Sequence, residues 1–142
     1  MLKIITKDNK RLVWDVVRKK YVAYTPEEHV RQNFINHLIT NLNYPVALMA
    51  VEYGLQMNGM SRRCDIVVFS RKGFPVLIVE CKAEDVKITD KTFRQIAHYN
   101  IILKVDYLVV TNGITHFACK INHQQQNYSF IKELPRYEDL EG

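Results

Sequence analysis

The residues in this sequence best suited to chemistry are Asp65, Glu80 and Lys82. The two acids stand in apolar, β-branched runs, Arg62-Arg63-Cys64-Asp65-Ile66-Val67-Val68-Phe69 and Val76-Leu77-Ile78-Val79-Glu80-Cys81-Lys82, where a strand has no local use for a carboxylate. A polar turn carrying Lys72-Gly73 separates the runs, so the segment reads as a β-hairpin. A two-residue turn there sets Asp65 opposite Glu80. Because strand side chains alternate, Asp65, Glu80 and Lys82 then share one face, and Cys64, Ile66, Val79 and Cys81 the other.

Two carboxylates about 4 Å apart repel by ~4 kcal/mol at an effective dielectric near ~20. Either one of them is protonated, or Lys82 neutralises part of the charge, or a divalent cation lies between them. An all-oxygen ligand set suits Mg²⁺ or Mn²⁺, which keep several waters and accept phosphate oxygens. A nearby ammonium would orient a metal-bound water and offset charge developing on a pentacovalent phosphate. A Glu-x-Lys step is also frequent in any charged chain, and an Asp at a strand end often does no more than bond the next loop. What adds weight is the register, the apolar setting and Gln95-x-x-x-Tyr99 on the next predicted helix.

These residues need elements to hold them. Leu2 to Ile5 and Leu12 to Val17, around Lys7-Asp8-Asn9-Lys10, predict an N-terminal hairpin within residues 1–20, with Trp14 in its core or at its edge beside a solvated basic turn, Arg18-Lys19-Lys20. Thr25-Pro26-Glu27-Glu28 predicts a helix start: Thr25 as N-cap, Pro26 at the first position and Glu28 closing a capping box. Val30, Phe34, Ile35, Leu38, Ile39 and Leu42 form its apolar stripe out to Asn43. Val46 to Tyr53 enters the sheet with Glu52 as a solvated strand end, and Gly54 to Ser61, centred on Met57-Asn58-Gly59-Met60, reads as a loop or hairpin turn. Thr89-Asp90 opens a second helix running to about Lys104, with Phe93, Ile96, Ala97, Asn100 and Ile101 near one face. Val105 to Thr111 can return parallel to the Val76 strand by a crossover. Asn112-Gly113 turns the chain into the antiparallel run Ile114 to Ile121. Tyr128 to Ile131 reads as an edge strand, and Pro135 to Gly142 as an acidic tail.

At 142 residues and 47% hydrophobic, the chain suits one compact domain that buries most of its apolar surface, with no room for a second catalytic or motor domain. A net charge of +5 fits a polyanionic partner such as nucleic acid, although so modest an excess is common in soluble proteins. Cys64, Cys81 and Cys119 are odd in number and embedded in apolar runs, which predicts free buried thiols in a reducing cytosol rather than disulfides or a zinc site. The N-terminus lacks the long apolar core of a signal peptide, and no run approaches the roughly 20 residues of a membrane span. The expected location is cytoplasmic, with no membrane partner.

Asp65 followed by Glu80-Cys81-Lys82 resembles the PD-(D/E)xK nuclease signature, with Cys64 in place of the usual Pro. Read with Thr25-Pro26-Glu27-Glu28-His29-Val30-Arg31-Gln32, Gln95-x-x-x-Tyr99-Asn100 and Thr111-Asn112-Gly113, the chain resembles the N-terminal nuclease domain of type I restriction enzyme restriction subunits, in a short stand-alone form, from about Tyr21 to Ile121. The resemblance implies a restriction-endonuclease-like α/β fold: a mixed β-sheet flanked by helices, with an antiparallel hairpin at its core and a βαβ crossover. Residues 21–121 would form the nuclease core and 122–142 a C-terminal edge strand and tail. It also implies a Mg²⁺-dependent DNA endonuclease. In it Asp65, Glu80, the main-chain carbonyl of Cys81 and an acid of the first helix hold the metal, Lys82 positions the attacking water, and Gln95 and Tyr99 face the metal site or the scissile strand. The family pattern favours Glu28 as the helix acid, whereas helical projection puts Glu27 slightly nearer the apolar stripe. Arg31 and Arg63 are candidate phosphate contacts, with a bond to a neighbouring carboxylate as the alternative. DNA is the expected partner, with a second protomer or other restriction-modification subunits beside it. Two rivals stand against this reading: a module that grips DNA or a partner subunit without cutting, and a salt-bridged strand end in some other α/β domain.

Overall fold

The computed structural model describes residues 1–57 and 59–140. The chain opens with an antiparallel three-stranded sheet of β1 (Ile4–Lys7), β2 (Lys10–Asp15) and β3 (Lys20–Ala23). Asp8 and Asn9, both at positive φ (52° and 64°), make the β1–β2 turn, a conformation these two residue types tolerate. The predicted hairpin is therefore present and gains a third strand, because Asp15 closes a turn by accepting the main-chain N–H groups of Val17 (2.8 Å) and Arg18 (3.0 Å). Trp14 stays half-buried, edge-on to Tyr21 with ring centroids 5.1 Å apart.

Helix α1 (Pro26–Leu42) begins as the sequence predicts, with Thr25 Oγ1 accepting the N–H of Glu28 at 3.1 Å. The reciprocal half of the capping box is absent: the Glu28 carboxylate turns to Arg18, Arg31 and Gln32 instead. The helix ends at Asn43, whose left-handed conformation (φ 61°) lets Tyr44 N–H reach Leu38 O at 2.9 Å.

A 3-10 turn (Val46–Leu48) leads into the main sheet: β4 (Met49–Met57), β5 (Met60–Phe69), β6 (Pro75–Cys81), β7 (Tyr107–Thr111), β8 (His116–Asn122) and β9 (Asn127–Ile131), in that spatial order. Only β6 and β7 pair parallel, joined through helix α2 (Asp90–Leu103); the other pairs are antiparallel. The two helices serve opposite faces. Val30, Phe34, Ile35 and Leu38 of α1 pack with Ile66, Val68, Leu77, Val79 and Val109. Phe93, Ile96, Ala97 and Leu103 of α2 pack with Val67, Ile78, Leu108, Val110 and Cys119. β6 and β7 are apolar on both faces for this reason. Cys64, Cys81 and Cys119 are free and buried, as expected. Among the described residues, no helix is long and apolar enough to cross a membrane.

Four expectations are corrected or sharpened. Of the two readings of Gly54 to Ser61 the hairpin holds and the loop does not: Gly54↔Arg63, Leu55↔Arg62, Gln56↔Ser61 and Met57↔Met60 all pair, so β4 and β5 form one long hairpin, and Asn58 lies outside the described residues. Gly54 breaks nothing because a side chain there would meet only open space on the outer strand. The turn after β5 is longer than Lys72-Gly73; Ser70 N–H donates to Phe74 O (2.7 Å) and Gly73 N–H to Ser70 O (2.9 Å). A shift between Val68 and Phe69 absorbs the difference, and Ile66↔Val79, Val67↔Ile78 and Val68↔Leu77 keep the predicted register. Cys64 joins the apolar cluster under α2, opposite Ile66, Val79 and Cys81. The cause lies on β4, where Glu52 at φ 52° interrupts the regular pleat between Val51↔Ile66 and Tyr53↔Cys64. Finally, the acidic tail expected from Pro135 to Gly142 is, over its described residues, packed against the domain. Leu134, Tyr137 and Leu140 pack on the α1-side core, Tyr44 donates to Pro135 O (2.8 Å), and Tyr137 donates to Phe69 O (3.1 Å).

The single-sided cap at Thr25 gives a measurable consequence. Thr25→Ala lowers stability by about 1 kcal/mol, and Thr25→Ser holds it within a few tenths. Urea midpoints at unchanged slope read the difference; equal midpoints for the two variants would remove the cap from the account.

Candidate active site

Continuing the β5–β6 register one step past Ile66↔Val79 brings Asp65 opposite Glu80. Asp65 Oδ2 accepts the main-chain N–H of Cys81 at 2.7 Å, which fixes its carboxyl against β6. Glu80 is 8% exposed, and its pKa is pushed up to about 7. Burial is the largest cause; the charge of Asp65 and a hydrogen bond shared with it raise it further, while Arg62 and Lys82 pull it back. The half-buried Lys82 follows on the next position of the same face, with its main-chain N–H on Thr111 O at 2.8 Å. Asp65 and Lys82 are thus within electrostatic reach of Glu80 at this end of the hairpin.

Sequence reasoning missed the strongest partner of Glu80. Arg62, whose side chain is 11% exposed, pairs its Nη2 with Glu80 Oε1, reaches Asn100 Oδ1 from Nη1 at 3.5 Å, and lies over the Tyr99 ring at 5.3 Å. The signal was obscured by leaving 54–61 open between loop and hairpin turn, which left Arg62 at a strand entrance rather than inside a long hairpin curling toward α2. Tyr99 is therefore drawn to the site through Arg62. Gln95, on the same helix, is exposed, and no contact ties it to the carboxylates among the described residues.

A second charged network lies on the α1 side. Glu28 is 5% exposed while Glu27 is fully in solvent, so the acid turned inward is Glu28. Its carboxylate accepts from Arg18 Nη2 (2.9 Å), Arg31 Nη2 (3.1 Å) and Gln32 Nε2 (2.9 Å), with Arg31 Nε 3.0 Å away. Arg18 also pairs with the fully buried Asp15, so this part of the predicted basic turn is not solvated. Glu52, expected at a free strand end, receives Arg31 (3.4 Å), Arg63 (3.5 Å) and Arg18 (3.7 Å). Burial is the largest single influence and raises its carboxyl, but Arg31, Arg18 and Arg63 together outweigh it and hold the group below the usual range. Arg31 and Arg63 thus both bond carboxylates. Arg31 still keeps a buried Nη1 without a hydrogen-bond acceptor among the described residues, and Arg63 is largely exposed.

Cys81 lies between the two networks. Burial pushes its thiol well up, Asp65, Glu80 and Glu28 add to that, and Arg31 opposes it. The acids of both helical sides are therefore within electrostatic reach of one main-chain unit. They do not close on one another: among the described residues, no three His, Cys, Asp or Glu side chains form a group able to hold one ion. The donor set of Asp65 and Glu80 nonetheless fits Mg²⁺ or Mn²⁺. Both are hard oxygen ligands, their mutual repulsion is what a divalent cation would relieve, and Mg²⁺ commonly binds through one or two carboxylates with waters completing the shell.

The sequence matches the family described as type I restriction enzyme R protein N terminus over residues 26–135. No curated protein matches it. Among solved structures it resembles the fragment assigned as an HsdR subunit of a type I restriction enzyme from Vibrio vulnificus YJ016, at 17% identity and a TM-score of 0.56, covering 80% of this chain and 24% of that one. The chain thus spans about a quarter of that fragment. It also resembles a protein from Anabaena variabilis ATCC 29413 assigned as a nuclease of DUF820, at 12% identity and a TM-score of 0.52, covering 89% of this chain and 75% of that one. These likenesses show a restriction-endonuclease-like α/β fold, and the family match covers α1, the hairpin with its carboxylates, α2 and the strands beyond. The chain belongs to the type I restriction enzyme R protein N-terminal family.

Proposed function

We propose that this chain is a Mg²⁺- or Mn²⁺-dependent DNA endonuclease domain of the type I restriction R-subunit kind, acting with a second protomer or other restriction-modification subunits. The observation that carries the reading is the half-buried Asp65 beside the buried Glu80, with Lys82 within electrostatic reach of it. Asp65, Glu80 and the Cys81 carbonyl would hold the metal, with Glu28 as the acid from the first helix. When bound, the metal supplies a Lewis acid for the scissile phosphate and lowers the pKa of a coordinated water. The remaining work belongs to the chain. The Lys82 ammonium, on a backbone tied to β7, would orient the attacking water and offset charge growing on the phosphate. Glu80 gives up its proton to become a ligand. Tyr99 and Gln95 line the α2 side of the approach, with Gln95 exposed toward solvent. Arg31, with its unsatisfied Nη1, and the exposed Arg63 are suited to DNA phosphates once an acceptor arrives.

One observation favours a second reading, in which the domain grips DNA without cutting it. Arg62 neutralises Glu80, and Arg18 and Arg31 neutralise Glu28, so the carboxylates are balanced within the chain itself. That module would bind DNA in a salt-sensitive, metal-independent way.

Purified protein with supercoiled plasmid and Mg²⁺ or Mn²⁺ should nick or linearise it. Lys82→Ala and Asp65→Ala should each lower the rate by about 100-fold or more. Cutting that survives both substitutions would mean the site has been placed wrongly; salt-sensitive binding with no cutting by the wild type would select the second reading.

The raised Glu80 group sets a pH dependence. Above about 7 the carboxyl is ionised and ready for metal; as pH falls through 7 a proton competes with the ion. Mn²⁺ affinity should therefore weaken by up to about tenfold per pH unit below 7. Titrations between pH 8 and pH 5.5 test this, and Glu80→Gln should be weak throughout; a flat profile in the wild type would exclude Glu80 as a ligand.

A further inference from the structure

Arg62 is bound to Glu80, yet it has support that does not depend on Glu80. Its guanidinium lies over the Tyr99 ring at 5.3 Å, and its Nη1 is 3.5 Å from Asn100 Oδ1. Asn100 is itself fixed, since it is fully buried and its Nδ2 donates to Tyr107 O at 3.3 Å. Arg62 also comes from a paired position, Leu55↔Arg62, so its backbone does not have to move for its side chain to change partner.

A guanidinium and a divalent ion cannot both hold the same carboxylate oxygen without strong like-charge repulsion. Taking Glu80 away from Arg62 would still leave the cation against an aromatic face and an amide oxygen, both acceptable surroundings for arginine. Glu28 differs. Its acceptors are shared among Arg18, Arg31 and Gln32, and two of these are arginines that also serve Asp15 and Glu52, so taking Glu28 away would disturb a linked cluster rather than a single pair. The exchangeable pairing is the one at Glu80.

We propose that Arg62 is a displaceable cation of the metal site: it holds the Glu80 carboxylate in place of a divalent ion and gives that carboxylate up to the ion while staying against Tyr99 and Asn100. This rests on the metal-dependent reading above and goes beyond it by naming the group the metal must displace. Arg62 is then a positioning residue that keeps two adjacent acids folded without metal and sets the ion concentration at which the site loads.

The test is direct binding of Mn²⁺, followed by loss of the free-ion electron paramagnetic resonance signal, with no DNA and no turnover. Opposite charges at this range change carboxylate equilibria by about ten-fold or more, so Arg62→Ala should bind Mn²⁺ at least about ten-fold tighter than wild type. Arg62→Gln, which keeps a donor but no charge, should do the same, and Arg62→Lys should stay near wild type. Circular dichroism checks that each variant is folded, and Gln serves if Ala is not. Binding by the uncharged variants alone supports the proposal. Equal or weaker binding in folded Arg62→Ala or Arg62→Gln overturns it and leaves the metal site standing. No binding by wild type or any variant overturns the metal reading and this proposal together.

Discussion

Holding Asp65 and Glu80 side by side at the buried end of a hairpin is unfavourable, and much of the architecture around them offsets that cost. Burial penalises charge on Glu80, and the neighbouring acid adds to the penalty, which is why its pKa stands near 7. The compensation is local and specific: a main-chain N–H for Asp65, a guanidinium for Glu80, and the Lys82 ammonium nearby. None of these would be in place without the register. β6 is clamped between β5 and β7 with apolar packing on both faces, so a slip of one residue would send Ile78 and Val79 into the opposite cores and carry Glu80 to the α1 side.

The same demand explains why the first sheet belongs to the site. Arg18 leaves the turn after β2, ion-pairs with the buried Asp15, and continues to Glu28 on α1. It spans two elements that otherwise have separate hydrogen-bond ladders. Thr25 caps α1 without help from Glu28, which frees that carboxylate for Arg18, Arg31 and Gln32. Arg31 and Arg63 extend the network to Glu52, where β4 departs from regular pleating next to Asp65.

Much of this was legible in the sequence because the controlling signals are short-ranged. Caps, apolar stripes and the parallel return of β7 follow from residue types within a turn or two, and the Asp65–Glu80 register follows from alternation once the hairpin is recognised. What was hidden depends on contacts far apart in sequence. Arg62 reaches Glu80 and Asn100, Arg18 reaches Glu28, and Tyr44 and Tyr137 pin the C-terminal segment; nothing in the local spacing marks any of them. The choice between loop and hairpin turn at 54–61 stayed open for a different reason. Glycine weakens a central strand, but β4 is an edge, where Gly54 has only solvent beside it. The turn at 70–74 shows that a register can be right for the wrong turn, since the shift at Val68/Phe69 absorbed the extra length.

The two networks differ in how readily they can rearrange. Glu28 is tied to three side chains on the α1 side, two of them arginines that also serve Asp15 and Glu52, so freeing it disturbs the whole cluster. Glu80 has one strong cationic partner, and that partner has other support. An incoming cation would therefore meet Asp65 and Glu80 first, and Glu28 could join only after Arg31 shifts to another acceptor. A DNA phosphate would be such an acceptor, because the buried Arg31 Nη1 has none among the described residues. If the chain cuts DNA as proposed, completion of a three-acid site would be coupled to substrate arrival: the phosphate that draws Arg31 away would release Glu28 toward Cys81.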